Sequence, residues 1–433
     1  MNRFRKYVYR SWALLRQNPL FSSIYILGTA LSVALLMVLF IIFYVKFAPI
    51  YPEGNRNRTL VLQYVQANDL SNPGSYSGGA LSPRVPYELL KGLPHLDDIA
   101  VVAQDFSFEN RAALTLHSVP VSITPKYVDD GFWRVFTFRF LYGKPFSEAD
   151  VKATMPVAVV SEKLARRLYG TADVVGKNFQ FNGNELKIVG VVQNVSWVTP
   201  VTAADLWLPV TRNIDVLRTD GGENIRGTLT VYMTAPNVSE KEVLRQEVRE
   251  AFRKYNTTCK LYRHEIFDQP DDYWKSCFRK WDTMNVKETM RPFLYFLLAL
   301  LFIPALNLGG IIASRMDSRI GELGIRKAYG ASNFWLLRQV LNENLFFTSL
   351  GSIFGLLFSY VFIWLSSDWI LTILDITVDT DMPAPEFTAG MLLNPAVFGV
   401  AVLFCLVLNL ISALIPTLLA LRKNIVEQLS QKR

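Results

Sequence analysis

From Arg16 to Lys46 the chain carries no charged residue, and between Leu20 and Val45 only Ser22, Ser23, Thr29 and Ser32 add polar side chains to an apolar run. At 1.5 Å rise per residue, about 20 apolar residues are enough to cross a bilayer as a helix. The run is too long for the apolar part of a secretory signal, and no A-x-A-like cleavage site follows it. It is therefore expected to be a retained span over 20–47. Three more stretches have the same character, at 290–313, 342–365 and 395–421. Pro292 suits the first turn of the second span. Pro304 falls mid-span and should kink it. The fold class expected is an α-helical membrane protein with four transmembrane helices plus a large α+β extracytoplasmic domain of two subdomains.

Polarity follows from where Lys and Arg lie beside the spans. The N-terminal tail, the 314–341 loop and the C-terminal tail of 422–433 together hold fourteen basic residues against three acids. The 366–394 loop has no Lys or Arg and five acids, Asp368, Asp375, Asp379, Asp381 and Glu386. Both termini and the 314–341 loop are thus expected in the cytoplasm, with 48–289 and 366–394 outside. The net charge of +8 is then a topology signal and not a nucleic-acid patch. Only three cysteines, and three histidines at 95, 117 and 264 with no H-E-x-x-H pairing, leave no expected metal site.

Residues 48–289 read as a soluble domain. Strands are expected at 58–66, 98–105, 227–235 and 261–269, a short helix at 83–92, and an amphipathic helix at 239–255 with Ser239 as its cap and Val243, Leu244, Val248 and Phe252 on one face. A β-α-β unit opens the domain and another closes it, around a mostly β inserted subdomain at about 106–215. Within the insertion, 156–170 reads as a strand and a helix ended by Gly170, and 178–195 as a hairpin about Asn182-Gly183. The aromatic-rich 132–146 segment is expected in the core. Cys259 and Cys277 both lie outside, where they either pair or stay free thiols. Cys405 is expected to pack within the fourth span.

The segment GELGIRKAYGAS (321–332), between two spans, resembles the cytoplasmic signature of MacB/FtsX-type ABC transporter permeases. Arg319, Glu322, Gly324, Ile325, Arg326, Lys327, Ala328, Gly330, Ala331 and Ser332 match that signature, and Asn307 and Glu343 fall where the family has them. The outer domain resembles the MacB periplasmic core in the order PKYVDDGFWRVFTFRFLYGKPFSEAD, PVAVVSEKLARRLYG, VVGKNFQFNGNELKIVGVVQNV. The resemblance covers almost the whole chain. It departs at the C-terminus, where NIVEQLS replaces the family's second proline and final basic residue.

The resemblance implies a dimer with a second permease chain and a cytoplasmic ABC ATPase. MacB carries its ATPase domain in the same chain. Here only about 19 residues precede the first span, with no G-x-x-x-x-G-K-[ST] loop. Gly170 to Asn178 is a near match with one residue too many, on the wrong side. The expectation is no enzymatic activity and no cofactor in this chain, with ATP and Mg held by the partner.

The 314–341 loop would then be the coupling element. Arg319, Ile320, Glu322, Leu323, Gly324, Ile325, Arg326, Lys327, Gly330 and Ser332 are its candidate residues. Met316, Ile320 and Leu323 share one helical side, and Arg319, Arg326 and Lys327 can pair with acids on the motor or with lipid phosphates. Gly330 permits a sharp exit and Ser332 can cap the next helix. Glu343 should sit near the interface, facing the loop or a partner helix. Phe4, Val8, Trp12 and Leu15 form the apolar stripe of an interfacial helix over 1–19. Asn307, Gly351, Gly355 and Asn409 suit helix–helix contacts. The function expected is mechanotransmission: hydrolysis by a separate ATPase moves the outer domains to export or extract a substrate, with a periplasmic adaptor or outer-membrane channel as further partners. The alternatives are an FtsX-like regulatory subunit that activates a periplasmic hydrolase, or a lipoprotein-releasing permease.

Overall fold

The structure is a computed structural model. It describes residues 16, 19–103, 110–115, 117–196, 199–213, 216, 222–279, 286–288, 290–292, 294–295, 298–299, 321, 325–366 and 395–422. Phe4, Val8, Trp12, Leu15, Asn307, Arg319, Ile320, Glu322, Leu323 and Gly324 lie outside the described residues, as does most of the expected span at 290–313. The described residues divide into two compact units, those of 45–289 and the remainder.

The helical unit contains α1 (Pro19–Phe47) up to residue 44, and two further long helices at Asn333–Leu365 and Pro395–Arg422. Among the described residues, Ser22–Phe47 and Asn333–Leu365 are long and apolar enough to cross a membrane. The helix at 333 begins nine residues before the expected start at 342, so the end of the loop assigned to 314–341 is already helical. One hydrogen bond, one ring contact and two glycines set the packing of this helix on α1. Tyr25 Oη and Thr348 Oγ1 lie 3.3 Å apart, and the Tyr25 and Phe347 rings meet edge-on at 5.7 Å. A Cβ placed on Gly351 would stand 2.7 Å from Thr29 Cβ and 3.1 Å from the Ile26 carbonyl oxygen. On Gly355 it would stand 2.6 Å from the Ala30 carbonyl oxygen and 2.7 Å from Val33 Cβ. The small-xxx-small pair thus seats the backbone of α1 within the same chain. Gln339, Glu343, Asn344, Thr348, Ser352 and Ser359 are buried, so one face of the 333–365 helix carries a polar seam that hydropathy alone hid. Asn409 lies in the 395–422 helix, which packs along the 333–365 helix with Phe404 edge-on to Phe40 at 6.3 Å.

The outer unit is a mixed sheet with helices. Its opening strands are β1 (Thr59–Leu62), β2 (Val65–Asp69), β3 (Tyr76–Leu81) and β4 (Asp98–Ala103). The insertion adds β5 (Arg111–Ala113), β6 (Val121–Ser122), β7 (Pro125–Val128), β8 (Phe140–Gly143), β9 (Val157–Ser161), β10 (Asn178–Phe181), β11 (Asn184–Val192) and β12 (Leu206–Pro209). The chain closes with β13 (Arg226–Gly227), β14 (Leu229–Thr234), β15 (Tyr262–Glu265) and β16 (Asp271–Asp272). The two ends of the unit interleave. β14 pairs antiparallel with β4 from Leu229↔Ala103 to Thr234↔Asp98, and with β1 on its other side, while β15 pairs with β2. The insertion contains parallel pairs, β9 with β11 and β7 with β12. It is continuous with the rest of the sheet, because β7 also pairs with β4.

The apolar side chains follow that continuity. One core gathers Leu60, Val101, Val231 and Leu244 with Val159, Val192 and Trp207 of the insertion. A second core, with Val160, Leu164, Phe179, Ile188 and Leu206, belongs to the insertion alone. The 132–146 aromatics are core except Tyr142, which is exposed: Trp133 lies edge-on to Phe138, Phe140, Phe146 and Trp207 at 5.1–6.2 Å.

Local chemistry fixes several boundaries where the sequence places them. Gly170 ends the 162–169 helix with φ of 75°, and Asn182 and Gly183 turn the β10–β11 hairpin with φ of 46° and 80°. Gly176 and Lys177 lead into β10 rather than a helix, so the near match at 170–178 forms no phosphate loop. The expected cap Ser239 is corrected. The helix at Lys241–Thr258 starts one residue later, and Asn237 Oδ1 accepts from Glu240 N (3.0 Å) and Ser239 Oγ (2.6 Å). The 83–92 helix shrinks to a five-residue wide turn at Val85–Leu89, because Pro83 and Pro86 remove two backbone donors.

Cys259 and Cys277 are both free thiols. Cys259 ends the long helix with its Sγ 3.4 Å from the Tyr255 carbonyl oxygen and 4.0 Å from His264 Nδ1. Cys277 follows a short helix and its Sγ donates to the Tyr273 carbonyl oxygen at 3.3 Å. Their polar neighbours are different groups, so the pairing left open by the sequence is not made.

Candidate functional site

Residues 325–328 are helical, and the chain leaves them through a Schellman turn. Ala331 N donates to the Arg326 carbonyl oxygen (3.1 Å) and Gly330 N to that of Lys327 (3.0 Å). This 6→1 and 5→2 pairing satisfies two carbonyls that a helix end leaves open. It requires a left-handed residue at the position after the cap, and Gly330 supplies it with φ of 88°. Two residues later Ser332 Oγ accepts from Trp335 N (3.3 Å), capping the helix that runs from Asn333 to Leu365. The helix–turn–helix therefore follows from Gly330 and Ser332 in those roles.

One charged thread locks the turn. Arg326 Nη1 donates to Gln339 Oε1 (2.7 Å), and Gln339 Nε2 donates to Glu343 Oε1 (3.1 Å). Arg326 is half-buried, and Gln339 and Glu343 are buried. Arg326, expected to pair with acids on the motor or with lipid phosphates, directs Nη1 onto the next helix and also borders the open cleft beside the turn. A buried carboxylate one turn beyond Gln339 makes that direction favourable. Glu343 faces the turn, not an isolated place in the span.

The outward surface is aromatic instead. Tyr329 is 89% exposed, Phe334 74%, Trp335 49% and Ile325 47%. Arg326, Tyr329, Gly330, Ala331, Ser332 and Trp335 line an open cleft of about 610 Å³. Tyr329, Phe334 and Trp335 are not among the coupling residues expected from the sequence, although Phe334 and Trp335 directly follow the Ser332 cap. Phe334 and Trp335 lie on the first turn of the 333–365 helix. Exposed apolar rings grouped in this way mark a surface for another protein or for lipid.

Among the described residues no group of three or more His, Cys, Asp or Glu is placed to hold a metal. Titrating groups of the outer unit are spread through it. Burial pushes the Asp129 carboxyl up to about 7, against hydrogen bonds from Val101 N (2.9 Å) and Phe132 N (3.0 Å). Burial likewise raises Asp268, yet hydrogen bonds from Lys275 and Arg279 outweigh it and hold that carboxyl at about 2. Burial lowers His264 to about 4, so its ring is neutral beside Cys259.

Residues 22–251, more than half of the chain, match the family model of the MacB-like periplasmic core domain, and residues 294–425 match that of the FtsX-like permease C-terminal region. The chain belongs to the MacB/FtsX family of ABC transporter permeases. The uncharacterized ABC transporter permease YknZ of Bacillus subtilis (strain 168) is 21% identical over 70% of this chain and 72% of its own. YvrN of the same organism, also named an ABC transporter permease, is 24% identical over 81% of this chain and 80% of its own. The macrolide export ATP-binding/permease protein MacB 1 of Yersinia pestis bv. Antiqua is 22% identical over 83% of this chain, which spans 53% of that protein. The Gly330 turn and the aromatic cleft fall inside the FtsX-like region, and the sheet falls inside the MacB-like one.

Proposed function

We propose that this permease couples a separate cytoplasmic ABC ATPase, which binds ATP and Mg, to movement of its outer unit, and that the chain itself hydrolyses nothing. The observation that carries the reading is the pre-formed turn at Gly330 with its exposed Tyr329–Trp335 cleft. A coupling element must be stiff, so that a push on it reaches the membrane helix without being absorbed. The Schellman turn, the Ser332 cap and the Arg326–Gln339–Glu343 thread supply that stiffness. It must also offer a graspable surface, and the four exposed apolar side chains do so.

The reading places the turn and both termini in the cytoplasm and residues 48–289 in the periplasm or outside the cell, in agreement with the charge asymmetry. A second permease chain completes the transmembrane part, with four spans in each. Export or extraction of a substrate from the outer leaflet or the periplasm is the output, with adaptor or outer-membrane partners on the far side. The test is to purify the tagged chain in nanodiscs and identify its companions by mass spectrometry. An ABC ATPase that co-purifies with the wild type and is lost from Tyr329→Ala/Trp335→Ala supports the reading. An intact chain without any ATPase overturns it. Capture of a periplasmic hydrolase with no translocated substrate would convert the output to the regulatory one.

A further inference from the structure

Glu53 stands just after α1, and it is 1% exposed. A carboxylate has about four acceptor positions, and burial is tolerable only if they are filled. Here they are. Oε2 accepts from Arg56 Nε at 2.8 Å and from the Tyr273 hydroxyl. Oε1 accepts from Thr202 Oγ1 at 2.8 Å and Thr202 N at 3.2 Å. Arg56, 4% exposed, lies over the Tyr273 ring at 4.7 Å and spends Nη1 on the carbonyl oxygens of Val45 (2.7 Å) and Ala48 (2.9 Å). Val45 is in the last turn of α1, where carbonyls lack helical partners.

Three segments far apart in sequence therefore share one ion pair. The incoming segment 45–56 supplies Glu53 and Arg56. The outgoing segment 268–279 supplies Tyr273, and it is braced by a second buried pair, Arg279 with Asp271. The 199–202 loop supplies Thr202, and the Lys126 ammonium of β7 binds that same loop at the carbonyl oxygens of Pro200 (2.5 Å) and Val201 (2.7 Å). Lys46 and Phe47 also meet Phe278, at 5.0 Å and 5.7 Å from its ring. So the two connections through which the outer unit is attached to the rest of the chain meet each other, and meet the inserted sheet, at Glu53.

We infer that Glu53, with Arg56, Tyr273 and Thr202, is a positioning hub: it makes the incoming segment, the outgoing segment and the 199–202 loop move as one body, so that displacement of either connection is delivered to the sheet. This inference rests on the mechanotransmission reading above. A buried ion pair adds little stability over an apolar replacement. It does impose one geometry on every group around it, which is what a transmitting joint needs.

The experiment measures nucleotide-driven motion. Nitroxides are placed at exposed Ala153 and exposed Ser349 in a chain with Cys259, Cys277 and Cys405 replaced by Ala, held in nanodiscs with its captured ATPase, and the distance is read before and after ATP turnover with vanadate traps the motor with ADP and vanadate bound. Thr202→Val removes the hydroxyl half of the Thr202 spoke and keeps its N–H on Oε1, Tyr273→Phe removes the phenol spoke, and both leave the Glu53–Arg56 pair. Val159→Ala, a core truncation elsewhere in the unit, is the stability control. Wild type and Val159→Ala should show the same shift, while each spoke variant loses at least half of it with ATP turnover retained. Spoke variants that shift like the wild type overturn the inference and leave the function standing. Equal loss in Val159→Ala also overturns it, since the effect is then one of stability. A wild type that does not shift removes the mechanotransmission reading itself.

Discussion

Gly351 and Gly355 give the sharpest quantitative test of the helical unit. An alanine Cβ at Gly351 would lie 2.7 Å from Thr29 Cβ, and one at Gly355 2.6 Å from the Ala30 carbonyl oxygen and 2.7 Å from Val33 Cβ. Carbon atoms rest at about 3.5–4.0 Å, so each contact is short by roughly 0.8 Å or more. The opposing groups are backbone and β-carbons, which cannot swing aside as the end of a long side chain can. Overpacking of this kind destabilises by about 1–3 kcal/mol, against a helix-propensity gain of about 1 kcal/mol for Gly→Ala. The net loss is about 0–2 kcal/mol for each single variant, which leaves it about 1–3 kcal/mol below a Gly→Ala change that meets no contact. The double variant should lose less than the sum, because one outward shift of the helix relieves both contacts. Gly399 is the internal control, since a Cβ there meets nothing within 4 Å. Gly399→Ala should be neutral or stabilising by up to about 1 kcal/mol. The assay is reversible unfolding of the full chain in mixed micelles, read by Trp fluorescence and pulse proteolysis. If Gly351→Ala and Gly355→Ala match Gly399→Ala, the packing of α1 on the 333–365 helix described above is wrong.

Other outcomes follow from the same geometry. Asp129 titrates near 7 in the folded outer unit and near 4 unfolded, so its ionisation weakens the fold progressively above pH 4 and by up to about 4 kcal/mol above pH 7. Asp129→Asn, whose Oδ1 can still accept from Val101 and Phe132, should flatten the fall in melting temperature between pH 5 and pH 8; an unchanged slope refutes the assignment. Asp268 runs the other way: held at about 2, it contributes stability that is intact above pH 4 and lost as pH drops toward 2, and Asp268→Asn should remove that acid-side dependence. Gly330→Val should weaken the turn by about 1–2 kcal/mol and reduce ATPase capture, whereas Gly330→Asn, better suited to a left-handed residue, should retain most of both; equal behaviour of the two would mean the turn is not needed.

What the sequence made legible was local. Gly170, Asn182-Gly183, Gly330 and Ser332 each act through a backbone conformation or a cap within a few residues, so their roles could be read directly. The long apolar helices were legible because a bilayer demands a length. Ser239 was read as the cap because Asn237, Ser239 and Glu240 offer overlapping side chains; the helix starts after Glu240, and Asn237 Oδ1 takes the Glu240 amide. The Arg326–Gln339 bond was not legible, because the composition around Arg326 is basic and Gln339 lies thirteen residues on, across a turn. The Glu53 hub was out of reach for the same reason on a larger scale: Thr202 and Tyr273 are 149 and 220 residues away. The continuity of the sheet through β4 and β7 was hidden too, since strand patterns announce a face and not a neighbour.

The central claim is that the surface at Tyr329 grips a nucleotide-hydrolysing motor. A photo-reactive phenylalanine analogue replacing Tyr329, irradiated in intact cells, tests it directly, with the same analogue at the exposed Tyr76 of the outer unit for comparison. The account predicts that the protein cross-linked from position 329, and not from position 76, is an ABC ATPase. A stable, membrane-inserted chain that yields no ATPase adduct from 329, or yields it equally from 76, would contradict it.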